Sequence, residues 1–290
     1  MRMFILGASL VFLSAALVYH YAALQAFNAL VPKDGDTVLI SEAVTYGPDP
    51  RQTLDIYAPS NAPGPLPILL FVYGGSWKDG NRGGYEFAGR AFAAHGYLTL
   101  VMDYRLMPEH RFPAFVQDVA LAIAWAEKNG QRFAGDPQRI YAVGHSAGAY
   151  NLTLAILDRR YLGAANADAT KIRGVATMAG PFDFLPLDTK TTIETFGGEP
   201  DLAVTQPITY VRGDVPPFLL MTGTDDQTVK PKNSQSLDRK LREAGAVSEL
   251  REYQGVGHVG ILMALARPFR SKSRSELADI LEFFARHRGT

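Results

Sequence analysis

Short apolar runs recur along this chain and alternate with longer stretches whose apolar positions fall on one helical face. Ile68 to Val72 and Tyr97 to Met102 are continuous runs of the kind expected for strands buried on both faces. Arg139 to Val143, Ile172 to Met178, Pro217 to Met221 and Val247 to Tyr253 read as further strands. Between them, Tyr85 to Ala94, Ser234 to Ala244 and Ser275 to Arg286 read as helices. So does the stretch opened by Phe112-Pro113, which carries Val116, Val119, Ala120, Ile123 and Ala124 on one face. Strands alternating with helices at this spacing predict an α/β chain, with a mostly parallel central sheet covered on both faces by right-handed crossovers. Ahead of these, Thr37 to Ala43 and Gln52 to Tyr57 alternate like the arms of a hairpin, with Gly47-Pro48-Asp49-Pro50 as its turn. Ala179 to Pro216 breaks the rhythm with Pro181, Pro186, Pro200 and Pro207, as expected of an excursion that faces a substrate.

The pattern divides the chain into residues 1–36, an N-terminal apolar segment, and residues 37–290, one folded domain. Residues 3–31 contain no Asp, Glu, Lys or Arg, and only Arg2 precedes them as a charge. As a helix this run is long enough to span a bilayer, which predicts an exported or membrane-anchored protein. A cleaved signal peptide is the alternative, with Arg2 as n-region, Met3 to Leu13 as h-region and Ser14-Ala15-Ala16 as the cleavage site. Tyr19, His20, Tyr21, Gln25 and Asn28 make the second half amphipathic. That half therefore also fits an extra helix packed on a cytoplasmic domain or over its active site.

Charge and composition narrow the function further. Lys+Arg and Asp+Glu both number 29, so no net positive charge favours nucleic acid as a partner. The absence of cysteine excludes thiolate chemistry, disulfides and Cys-ligated metals.

Candidate chemistry centres on Gly144-His145-Ser146-Ala147-Gly148, where a β-rich run passes directly into an Ala/Leu-rich helical one. So abrupt a junction puts Ser146 at the apex of a strained turn, with Gly144 and Gly148 small because strand and helix pass close by. The turn also presents the Ala147 amide at a helix N-terminus, where it can donate to an oxyanion. A serine hydroxyl is a weak nucleophile and needs an imidazole to take its proton. The imidazole in turn needs a carboxylate to fix its tautomer. Functional groups in open α/β sheets gather at the carboxyl ends of strands, and three candidates follow that rule. Gly74-Gly75 can bring backbone amides to a substrate oxygen, with Tyr73, Ser76, Trp77 and His145 as neighbours able to line a pocket. His258, on a Gly-rich loop after the last strand, is the candidate base, and the side chain of His145 is expected to point elsewhere. The acid is Asp226 or Asp225, and Gly223-x-x-Asp226-x-x-Val229 favours Asp226 by letting Val229 anchor the loop.

With these residues in the order Ser, Asp, His, the chain resembles an α/β-hydrolase. It is most similar to the carboxylesterases with an H-G-G-x-W or H-G-G-G oxyanion motif, in the hormone-sensitive-lipase-like and feruloyl-esterase/arylformamidase-like branches. Tyr73-Gly74-Gly75-Ser76-Trp77, Asp103-Tyr104-Arg105-Leu106, Pro108-Glu109, Phe112-Pro113 and Gln206-Pro207-Ile208 carry the resemblance beyond the triad, from roughly Thr37 to Arg288. Tyr73 departs from it, standing where those families have histidine. The resemblance implies a serine esterase acting on a small-molecule ester, with no metal and no organic cofactor. An amide hydrolase of the arylformamidase or peptidase kind and a non-catalytic binding protein of the same fold are the alternatives.

Overall fold

A computed structural model describes residues 24–62, 64–271 and 274–288. Among the described residues, eight strands form one sheet. They are β1 (Thr37–Thr45), β2 (Thr53–Pro59), β3 (Leu66–Val72), β4 (Leu98–Met102), β5 (Gly135–His145), β6 (Ile172–Met178), β7 (Phe218–Gly223) and β8 (Ser248–Tyr253), in the order β1-β2-β4-β3-β5-β6-β7-β8. Only the pairings of β2 with β1 and β4 are antiparallel; the rest of the sheet is parallel. β4 and β7 are buried at every position, and β3 and β6 at all but one. Strands without a wet face must be covered on both sides. The coverage comes from α1 (Glu86–Ala93), α2 (Ala114–Asn129), α3 (Ala147–Leu157), α4 (Arg159–Ala165), α5 (Lys190–Phe196), α6 (Lys232–Glu243), α7 (His258–Met263) and α8 (Glu276–Arg286).

The chain runs from β3 out to β4 and then returns past β3 to β5. The direction of winding therefore reverses between β3 and β5, which opens a crevice at their carboxyl ends. Register does the rest. Val72 pairs with Gly144, so Gly74 and Ser146 each lie two residues beyond one ladder rung. Val72 also pairs with Met102, which brings out Tyr73 and Asp103 side by side.

The excursion between β6 and β7 is more ordered than its prolines suggest. It carries α5, whose first turn is closed by a reciprocal capping box between Thr189 and Thr192. Phe184 and Phe196 from this excursion pack edge-on or tilted against Tyr150, and Phe196 also meets Trp77 and Phe112. The sequence shows only proline breaks here because the ordering contacts come from residues far away along the chain.

Most of the N-terminal apolar segment lies outside the described residues. Its last part, residues 24–30, is helical and docked on the domain. Leu24 and Phe27 pack against the core, Phe27 meeting Phe87 edge-on at 5.3 Å. Asn28 donates to the Gly83 carbonyl (2.9 Å) and accepts from the Phe87 amide (3.1 Å). Among the described residues, no helix is long and apolar enough to cross a membrane.

Candidate active site

Ser146 joins β5 to α3 with φ 52° and ψ −122°, a region that non-glycine residues rarely occupy. Its neighbours enforce the strain. A Cβ on Gly148 would lie 2.2 Å from the Val72 carbonyl oxygen and 2.3 Å from that of Tyr73, and one on Gly144 would lie 2.7 Å from the Ala149 Cα. Both glycines are therefore required by close approach, and the turn between them has no room to relax. The Ser146 amide is held by the Met178 carbonyl of β6 at 2.8 Å.

Asp226 lies just past β7 and is 1% exposed. One carboxylate oxygen accepts from the Thr228 and Val229 amides, both at 2.8 Å, and the other faces His258 Nδ1 at 2.8 Å. Burial works to raise this carboxyl. The hydrogen bond and charge of His258, together with the two amides, overcome it and hold Asp226 below the ordinary aspartate range. As a carboxylate it can only accept, so His258 donates from Nδ1. That leaves the Nε2 lone pair free to accept from the Ser146 hydroxyl, 2.8 Å away. Asp225 is exposed and accepts instead from the Thr224 hydroxyl at 3.1 Å. Of the two candidate acids, the structure brings Asp226 to His258, and Val229 of the Gly-x-x-Asp-x-x-Val spacing holds the Asp226 carboxylate through its amide. His258 also differs from expectation: it is the first residue of α7, not a loop residue.

On the other side of Ser146, a Cβ on Gly74 would come within 2.8 Å of the Ser146 Cβ, which puts the Gly74-Gly75 backbone against the nucleophile. Gly75 has φ 134°, and Ser76 and Trp77 follow at 55° and 59°. The amides of Gly74, Gly75 and Ala147 donate to no acceptor among the described residues, so they are available to a bound oxyanion.

Of the four residues expected to line a pocket, only Ser76 is exposed. Trp77 is a core aromatic: it donates to Asn151 Oδ1 at 2.9 Å and packs edge-on against Tyr150 and Phe196. Tyr73 is fully buried beneath the oxyanion loop. His145 does not point away from the triad. Its Nε2 bonds to the His258 carbonyl at 3.1 Å, because strand β5 delivers it to the layer that supports α7.

The support under the 74–80 loop joins Tyr73 and Asp103, both named from the sequence, to Arg51 and Arg82, which sequence reasoning missed. Tyr73 donates to Asp103 (2.7 Å) and receives a bond from Arg51 Nη2 (2.9 Å), while Arg82 meets Asp103 through both its amide and its guanidinium at 2.7 Å. Burial, with the Asp103 charge next, pushes the Tyr73 phenol well above its ordinary value, so it stays a donor. Arg51 Nη2 also donates to the Gly80 carbonyl (2.9 Å), and the Tyr104 hydroxyl donates to the Tyr73 carbonyl (3.0 Å). Arg51, itself bonded to the Tyr73 phenol, and Tyr104 thus tie down the two ends of the 74–80 loop. Asp103-Tyr104-Arg105, at the end of a buried strand, was the one available signal. A separate groove lined by Arg105, Phe112, Leu121, Arg160 and Tyr161 among others contains none of these catalytic candidates.

Sheet order, crevice and the serine turn together define an α/β-hydrolase fold. Esterase B from Lactobacillus rhamnosis shares that fold, with a TM-score of 0.83 at 21% identity over 97% of this chain and 96% of that one. Residues 54–241 match the BD-FAE family, and the chain belongs to it. The chain is 34% identical to esterase LipC of Mycobacterium tuberculosis over 74% of its own length and 58% of LipC. It is 26% identical to a probable isoprenylcysteine alpha-carbonyl methylesterase of Arabidopsis thaliana, over 83% of its length and 55% of that protein. The chain thus spans between half and two thirds of these curated relatives.

Proposed function

We propose that the protein is a serine hydrolase that cleaves carboxylic esters through an acyl-enzyme. The observation that carries this reading is the continuous hydrogen-bond chain from Ser146 Oγ through His258 to Asp226, with both links at 2.8 Å. His258 takes the hydroxyl proton as Ser146 attacks the acyl carbon, and Asp226 stabilises the imidazolium that forms. The Gly74, Gly75 and Ala147 amides receive the oxyanion. His258 then protonates the leaving alcohol, and water admitted on the same path releases the acid. Esters are favoured over amides because the relatives carry the names esterase, methylesterase and carboxylic ester hydrolase. An intact triad argues against a binding protein that has lost its chemistry. Labelling with a fluorophosphonate probe tests the reading: wild-type protein labels and Ser146→Ala does not. Equal labelling of the two, or none of either, would end it. A panel of aryl esters set against N-formylkynurenine then separates ester from amide turnover.

Location belongs to the same proposal. Leu24, Phe27 and Val31 pack on the domain, and residues 3–23, an uncharged run, are the part proposed for export or membrane attachment. As a helix that run would reach ~30 Å, about the thickness of a bilayer core. Fractionation of cells expressing the full chain checks this, and recovery of all the protein in the soluble cytoplasmic fraction would overturn it.

A further inference from the structure

His145 is the second imidazole at this site, and proton transfer through His258 gives it no task. It ends β5 with only 5% of its surface exposed. A carbonyl oxygen only accepts, so the 3.1 Å contact to the His258 carbonyl requires the hydrogen on His145 Nε2 and leaves Nδ1 bare. That Nδ1 is buried beside Gly74 and finds no partner among the described residues. An imidazole with one nitrogen satisfied and the other stranded is a costly way to fill space, since an apolar side chain of similar size would strand nothing. What it adds over such a side chain is the Nε2–H bond.

His258 has need of that bond. It opens a helix of six residues, follows a segment containing Gly255 and Gly257, and its helix has no side-chain cap. The two imidazoles also lie against each other, with centroids 5.0 Å apart and planes at 42°. Burial first, and the neighbouring His258 second, push the His145 imidazole down to about 3, so it stays a neutral donor at physiological pH.

We infer that His145 is a positioning residue whose Nε2–H fixes the backbone of His258, and with it the alignment of that ring between Asp226 and Ser146. The inference rests on the serine-hydrolase reading. His145→Leu keeps much of the bulk without the donor, whereas the amide of His145→Gln reaches about as far as Nε2. Both are compared with wild type on a short aryl ester and by rate of fluorophosphonate labelling. His145→Leu lowers kcat and labelling rate together by roughly 10- to 100-fold with KM little changed, and His145→Gln recovers most of the loss. Wild-type rates in His145→Leu, equal losses in the two variants, or a change confined to KM would overturn the inference. If His145→Leu does not fold, His145→Met, which also lacks a donor, takes its place. Wild-type protein that fails to label sinks the hydrolase reading itself, which separates the two failures.

Discussion

The serine turn and the oxyanion loop face each other across the site, both strained and both glycine-bearing, yet they are held by different means. The turn at Ser146 is fixed by sterics: Gly144 and Gly148 sit so close to neighbouring backbone that no other path exists. At Gly75 the loop from Gly74 to Gly80 is crowded only within itself, a Cβ there falling 2.0 Å from the Asp79 carbonyl oxygen of the same loop, and its place against the domain is fixed by partners. Arg51 links the Tyr73 phenol to the Gly80 carbonyl, Trp77 is buried in an aromatic cluster, and the Lys78 ammonium pairs with Glu194 on α5. A sterically fixed element tolerates no added atom, whereas one held by partners loses its shape by degrees.

Gly148→Ala puts this difference to its severest test. With carbonyl oxygens at 2.2 and 2.3 Å from the new Cβ, backbone must move, and a loss of about 3–5 kcal/mol in stability is expected by denaturant titration. Gly75→Ala strains a φ of 134° and sets its Cβ 2.0 Å from the Asp79 carbonyl oxygen, a clash inside the loop that movement of the loop can relieve. Its expected signature is folded protein with kcat down roughly 10²- to 10³-fold, the cost of a misplaced oxyanion donor. Similar stability losses in the two variants would erase the distinction. Tyr73→Phe removes one partner of Asp103 while Arg82 remains. A destabilisation of about 1–3 kcal/mol, with a smaller drop in kcat than in Gly75→Ala, is expected from calorimetry and kinetics.

A gentler probe is pH. The unfolded chain takes up a proton on His145 near pH 6.5, and the folded chain refuses it until about pH 3. Stability therefore falls as pH drops through that window, by up to ~1.4 kcal/mol per unit from this one group. The depressed Asp226 carboxyl loses its contribution in the same direction at lower pH. In His145→Leu the acid limb of the stability curve between pH 6 and 4 flattens, and an unchanged slope would place the effect elsewhere. The smallest effect expected is that of Asp225→Asn. Its carboxylate is exposed and, among the described residues, hydrogen-bonded only to Thr224, so kcat should remain within about twofold of wild type.

The same contrast explains what could be read from the chain alone. The serine turn was legible because its cause is local: strand, two glycines and helix are consecutive in sequence. The grouping of Ser146, Asp226 and His258 was expected because each follows the end of a strand, whereas the order of the strands in the sheet was not read from the sequence. The underside of the oxyanion loop was not legible, because Arg51, Tyr73, Gly80 and Asp103 meet only after β3 and β4 pair. Trp77 and Tyr73 were expected at the pocket wall for that reason, and the structure buries both. His145 was misjudged more simply, since adjacency to Ser146 implied a side chain turned away from the triad and not one reaching under His258.

The grip of Asn28 on Gly83 and Phe87 carries one last consequence. Leu24 and Gln25 lie beside Gly84, in the turn that follows the 74–80 loop. Under the proposal that residues 3–23 attach the protein to a membrane, the site would be tethered near that point. An ester partitioned into the same bilayer would then reach it by lateral search across a surface, not by diffusion from bulk.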